Sequence, residues 1–303
     1  MTDTPKQSGD SAAGFAYAMA AYVIWGFLPL YMKALAHVAP AEVVAHRVIW
    51  SVPIAAAVLV FRGRTADIRA ALASPRTLAM GALTAALISA NWGIYVWAIG
   101  SGHALDAALG YYINPVFSVA LGAILLRERL LPLQWVAVGL AVLAVVVLTV
   151  EAGSLPWVAV GLTVSWGFYA FFKRWLPVGP NQGFLLEVLI LLIPALAYVG
   201  WAEGAGIGHL LHGSRADVAL LMGTGVVTAV PLMLYANGAK GLTLSTIAIL
   251  QYVAPTMIFL TAVFVFGEPF GTARAVAFPM IWAALVLYTY AIIRRPRLPL
   301  PVR

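Results

Sequence analysis

The chain contains no cysteine, which removes disulfides and thiolate metal sites at once. Its five histidines show no HExxH-like spacing, so little remains to hold a metal. No GxxxxGK[ST] phosphate loop is present, nothing points to ATP hydrolysis within the chain, and no enzyme signature or cofactor fingerprint stands out. Charge is scarce as well: 10% of the 303 residues are Asp, Glu, Lys or Arg, against 63% hydrophobic, and mean hydropathy is +0.94. No soluble globular domain needs that much apolar surface, so the composition is that of an all-α integral membrane protein.

A span needs about 20 apolar residues to cross about 30 Å of hydrocarbon. Ten stretches qualify, at 14–34, 41–61, 76–99, 104–126, 131–150, 156–173, 182–201, 216–239, 244–266 and 272–293. The breaks between them are short and carry turn residues or charge. The stretches are continuous rather than alternating, which in lipid means helices and not a barrel. The segment 1–13 is polar and 294–303 is basic, and the first stretch is too long for a signal-peptide core.

The positive charges orient the chain. With a cytoplasmic N-terminus the inner segments collect Lys6, Arg62, Arg64, Arg69, Arg76, Arg127, Arg129, Lys173, Arg174, Lys240, Arg294, Arg295, Arg297 and Arg303, 14 of the 18 Lys and Arg. The outer segments hold Lys33, Arg215 and Arg274, and Arg47 lies inside a span. Both termini are expected in the cytoplasm. The net charge of +7 is then a topology signal and not a nucleic-acid footprint.

The chain also repeats itself. Tyr95, Tyr112, Pro115 and Glu128 recur as Tyr235, Tyr252, Pro255 and Glu268, all 140 positions on; Trp25-Gly26 recurs as Trp166-Gly167 at 141. The spacing predicts two five-helix units, 14–150 and 156–293. An odd number of spans per unit inverts the second copy in the membrane, an arrangement widespread among secondary transporters. Pro115 and Pro255 lie inside matching helices, where each removes a backbone hydrogen bond. They form a matched pair of hinges, and a static structure is expected to bend the two helices unequally.

The runs Trp25-Gly26-Phe27-Leu28-Pro29-Leu30-Tyr31, Glu42-Val43-Val44-Ala45-His46-Arg47, Asn91-Trp92-Gly93-Ile94-Tyr95-Val96-Trp97, Leu109-Gly110-Tyr111-Tyr112-Ile113-Asn114-Pro115 and Leu250-Gln251-Tyr252-Val253-Ala254-Pro255-Thr256 resemble the RarD-type branch of the EamA family, in the drug/metabolite transporter superfamily. The resemblance covers about 14–293. It implies a ten-helix transporter exporting small metabolites across a bacterial inner membrane, with YddG-type amino-acid exporters among its relatives. The second copy has Ala254 where the first has Asn114, so any shared site is chemically asymmetric.

Buried charge and deep aromatic residues nominate the site. A charge at the bilayer centre costs roughly 2.5–3.5 kcal/mol on insertion scales and is seldom kept without use. Arg47 and Glu187 qualify; they are repeat-equivalent, each about 9 Å below its own surface, and are not expected to pair with each other. Arg47 read blandly snorkels outward, and Glu187 accepts a hydrogen bond inside the bundle. His46 serves a proton-linked or substrate-binding role, or is simply packed. Tyr112 and Tyr252, about 12 Å deep, and Asn114 and Trp166, near the midplane, lie below the level of interfacial belts. Asn91 shares a helix face with Tyr95, and Trp166 shares one with Tyr169 and Lys173; Tyr235 repeats Tyr95. Trp92 and Gln251, from the matching runs, complete the candidate substrate-binding set. Facing inward, these residues line an aromatic and amide cavity suited to a small amphipathic solute; facing neighbouring helices, they are packing glue.

Three readings stay open at this level: a metabolite exporter, proton-coupled or running downhill; an importer of the same architecture; and a channel or non-transporting scaffold. The partners implied are a small-molecule solute and the lipid bilayer, and the oligomeric state is left open.

Overall fold

The computed structural model describes residues 10–63, 65–127 and 130–293. Lys6, Arg64, Glu128, Arg129 and the basic segment after 293, all used in the charge and repeat arguments, lie outside the described residues. The described residues form helices and no strand: α1 (Ala12–Ala34), α2 (Pro40–Phe61), α3 (Ala66–Ala73), α4 (Pro75–Gly100), α5 (Ala104–Leu125), α6 (Pro132–Ala152), α7 (Trp157–Lys173), α8 (Pro180–Gly204), α9 (Arg215–Gly238), α10 (Leu244–Leu250), α11 (Val253–Leu260) and α12 (Thr272–Ile293). Among the described residues nine helical segments are long and apolar enough to cross a membrane, α10 and α11 counted as one. The protein is thus a multi-pass membrane protein. The segment expected as the sixth span is α7, whose 17 residues reach about 25 Å, short of the hydrocarbon thickness.

The helix starts are written in local chemistry. Proline stands in the first turn of α2, α4, α6 and α8, where its missing N–H has no intrahelical partner to lose. Ser214 caps α9, accepting from Asp217 N while the Asp217 carboxylate takes the Ser214 amide, a reciprocal cap. His103, ahead of α5, offers no side-chain cap. Instead the buried Glu268 carboxylate, from the turn before α12, accepts from the Ala104 and Leu105 amides at 2.7 and 2.9 Å, a charged cap delivered from far along the chain.

Two expectations need correction. The connection 62–76 is not a plain loop: the alanine-rich run 66–73 forms α3, as alanine's helix propensity favours, and lays Ile68 and Ala71 inward. The ninth stretch is not one helix. Pro255 has no N–H to give the Gln251 carbonyl, the chain breaks at Gln251–Tyr252, and α11 runs on into a π turn at Thr261–Val265. Its counterpart α5 passes through Pro115 unbroken. The two proline helices therefore differ, one continuous and one interrupted.

Packing follows the repeat. α2 lies along α8, α6 along α12, and α5 along α11; α1 on α9 is matched by α4 on α7, and α5 on α7 by α1 on α11. Close approach is bought by small residues: a Cβ on Gly110 of α5 would stand 2.7 Å from the Ala159 carbonyl of α7. Large apolar side chains such as Phe61, Ile193 and Phe264 face outward, the reverse of a soluble protein and natural against lipid. What remains in the middle is where seven helices, the broken one counted once, meet without filling the space.

Candidate functional site

That space is a cavity of about 150 Å³, on the scale of engineered cavities that take up benzene. Its walls come from α1 (Tyr22, Trp25), α2 (Arg47), α4 (Asn91, Trp92, Tyr95), α5 (Tyr111, Asn114), α7 (Trp166), α9 (Thr228, Leu232, Tyr235) and the broken helix (Gln251, Ala254, Pro255, Ile258). Tyr22, Trp25 and Tyr235 form one aromatic triangle, with centroids 5.6 to 5.8 Å apart.

Arg47 is the charged side chain of this lining, and no carboxylate is among the lining residues. It is 3% exposed. Its Nε donates to Thr228 Oγ1 at 3.0 Å, its guanidinium lies 4.8 Å from the Trp92 ring centroid, and its Nη1 has no hydrogen-bond partner among the described residues. Arg47 therefore does not snorkel. A hydroxyl and an aromatic face offset part of the desolvation of a buried cation, but neither neutralises it. Tyr95 OH and Asn114 Oδ1, in the same lining, are also buried and without a partner.

Asn91 has a different place. Its Nδ2 donates to the Leu162 carbonyl (3.1 Å) and Ser165 Oγ (2.9 Å) of α7, and its Oδ1 accepts from Tyr111 OH at 3.3 Å. It ties α4 to α7 and aims Tyr111, whose ring lies 5.8 Å from that of Tyr95.

The cavity thus gathers Arg47, Asn91, Trp92, Tyr95, Asn114, Trp166, Tyr235 and Gln251, with Pro255 beside them. The other expected site residues lie elsewhere. His46 is fully buried beside the cavity wall, where Nδ1 accepts from Trp50 Nε1 at 3.2 Å. Glu187 pairs with Lys173 at 2.7 Å and accepts from Tyr169 OH at 3.3 Å. Tyr169 packs on Trp166 at 5.6 Å, so this cluster backs the cavity without lining it. As expected, Arg47 and Glu187 make no pair. Tyr112 and Tyr252 face away, into a groove on the outside of the bundle. Depth along a helix sets the level of a side chain, whereas direction around the axis turns by about 100° per residue; Tyr111, one position earlier, is the tyrosine that faces in. Pro115 is buried in α5 away from the cavity.

Sequence reasoning passed over Tyr22, Trp25, Tyr111 and Thr228 as lining residues. Trp25 and Tyr111 stood in the runs that carry the family resemblance, and Trp25 is the repeat mate of Trp166. Thr228 had no signal, because a threonine in an apolar helix is ordinary.

Comparison with known proteins agrees with this architecture. Residues 12–150 match the EamA-like transporter family. An uncharacterized transporter of Vibrio cholerae serotype O1 is 39% identical over 286 residues, 94% of each chain. Protein RarD of Streptomyces exfoliatus is 38% identical over 96% of this chain and 93% of its own, and Protein RarD of Escherichia coli K12 is 36% identical over 91% and 93%. A solved crystal structure, 19% identical, superimposes with a TM-score of 0.58 over 94% of this chain and 98% of its own, a likeness of fold.

Proposed function

The chain belongs to the RarD branch of the EamA-like transporter family, and from that premise we propose a secondary transporter that exports small amphipathic solutes bearing a carboxylate, amino acids foremost, across the bacterial inner membrane. One observation carries the reading: Arg47 sits in the central cavity, buried, with an unused Nη1 and no carboxylate among the lining residues. A carboxylate brought by the solute meets the unused N–H groups in the fork geometry that guanidinium favours. Tyr95 and Asn114 offer further hydrogen-bonding atoms, and Trp25, Trp92, Trp166 and Tyr235 give an apolar body flat faces to lie on. Asn91 is a positioning residue, fixing Tyr111 at the cavity.

In this reading ten spans form two inverted halves with both termini cytoplasmic, and α7 is the short sixth span. Alternating access exchanges the shapes of the halves around the cavity, and the break at Gln251–Tyr252 is the bend of the state described here. A proton gradient is the driving force to test first, since the chain carries no ATP-binding motif.

The test is uptake of radiolabelled amino acids into liposomes containing the purified protein, with and without an imposed pH gradient. Transport is expected, and Arg47→Gln is expected to abolish it while the protein still elutes as a folded species. Undiminished transport of carboxylate solutes by Arg47→Gln overturns the reading. For topology, a reporter fused after Arg69 should be cytoplasmic and one inserted near Gly208 external; the same side for both refutes the ten-span arrangement.

A further inference from the structure

The two halves each leave a groove on the outer surface of the bundle, and the two are chemically unlike. The groove between α5, α6 and α7 measures about 240 Å³ and is walled by valine, isoleucine and phenylalanine. Its one hydroxyl, on Thr163, is engaged by the Gly110 and Ala159 carbonyls at 2.9 and 2.8 Å. The groove between α5, the broken helix and α12 measures about 580 Å³. Here Thr256 stands where the first half has Val116, and Thr256 Oγ1 bonds Tyr112 OH at 2.7 Å. Tyr252 OH and Thr289 Oγ1 are buried beside each other, neither with a well-formed hydrogen bond among the described residues. Gln251 is the other polar side chain within reach of the Tyr252 hydroxyl. Thr149, the repeat mate of Thr289, donates to the Val145 carbonyl at 2.7 Å.

Both hydroxyls recur in the first half as Tyr112 and Thr149, but there each has a partner, Thr256 Oγ1 and the Val145 carbonyl, whereas Tyr252 and Thr289 are left without one among the described residues. The groove they line opens toward the bilayer, because Ile249, Val286 and Ile293 at its rim are more than half exposed. Tyr252 is eight residues from the start of α10, about 12 Å into the membrane, deeper than the headgroup region where lipids carry their polar atoms. Hydrogen-bonding groups at that depth are matched by a molecule dissolved among the acyl chains that brings a polar atom with it. The groove also shares a wall with the cavity: Gln251 and Pro255 face one side, Tyr252 and Thr256 the other.

We infer that this groove is a second binding site, on the bilayer side, for an amphipathic organic molecule with an aromatic or alkyl body and one hydrogen-bonding group. Tyr252 and Thr289 supply the polar contact, and Trp282 the aromatic face. The inference deepens the transport reading by placing a bilayer-dissolved ligand one helix away from the cavity, but its test reads binding whether or not any solute crosses.

The probe is a diazirine-bearing alkylphenol, photolysed with the protein in nanodiscs of phosphatidylethanolamine and phosphatidylglycerol; a diazirine-bearing phosphatidylethanolamine runs in parallel, and adducts are mapped by mass spectrometry. The alkylphenol should label 249–256 and 285–293 in preference to 138–146, and unlabelled alkylphenol should compete. Tyr252→Phe with Thr289→Val should lower labelling about five-fold, the effect of one lost hydrogen bond, at unchanged thermal stability; Thr289→Val alone serves if the double variant does not fold. Equal labelling of both grooves, indifferent to the variants, means simple partitioning and overturns the inference. Preferential labelling by the phospholipid probe overturns it too, assigning the groove to lipid.

Discussion

Arg47 and Glu187 hold the same position in the two halves, yet Arg47 faces the cavity with no carboxylate beside it, whereas Glu187 lies behind it, its Oε2 bound to Lys173 and Tyr169 and its Oε1 without a partner among the described residues. The same division runs through the lining: Trp92, Tyr111 and Asn114 of the first half face Leu232, Gln251 and Ala254 at the matching places. The Tyr95–Tyr235 and Trp25–Trp166 pairs keep their chemistry. On the proposed two-unit reading, the first unit supplies most of the polar lining of the cavity and the second the break in its proline helix.

The strongest way to break the comparison is at its charged end. Arg47→Leu should reduce transport of a carboxylate solute at least about 100-fold, as truncation of one partner of a buried charged pair does. Arg47→Lys should recover part of it, since the charge survives and the fork does not. Radiolabelled uptake at matched protein levels checks both. Removing a wall comes next: Trp166→Ala should cost roughly ten-fold or more in apparent affinity while the protein inserts and stays folded, and full activity would take Trp166 out of the site.

Glu187 tests the other side. Glu187→Gln should leave solute affinity nearly unchanged and lower stability by about 1–3 kcal/mol, because the 21%-exposed Lys173 side chain regains some water once its partner is neutral. Thermal unfolding in detergent separates this from a binding defect, and a large loss of affinity would move Glu187 into the solute site.

The prolines sharpen the difference between the halves. Pro115→Ala restores a donor inside a helix that is already continuous, and should alter turnover by only a few-fold. Pro255→Ala restores the donor at the break and should bias the conformational equilibrium more. Cysteine pairs placed at the two cavity mouths of this cysteine-free chain give the readout as cross-linking rates. Equal responses to the two substitutions would show that the break is not the hinge. The smallest effect is expected at neighbouring tyrosines: Tyr112→Phe should barely change solute affinity, whereas Tyr111→Phe, which loses the bond to Asn91, should weaken it by a few-fold.

Membrane embedding, the recurrence at 140 positions, the prolines inside the fourth and ninth stretches and an arginine within a span were legible in the residues alone. Each rests on local or one-dimensional physics: the length of an apolar run, a missing N–H, a charge in a segment that must cross lipid. Azimuth was not legible. In a span apolar on all sides no polar face marks which way is in, so Tyr111 and Tyr112 were interchangeable until α4 and α7 were packed beside them. Glu187 stands outside the cavity lining, paired with Lys173 from one span earlier in the chain, and Glu268 caps the start of α5, a role that no spacing announces. Which residues share a helix is a property of the sequence; which of them share a cavity was decided only when close approach, as at Gly110 against Ala159, fixed how each helix is turned toward its neighbours.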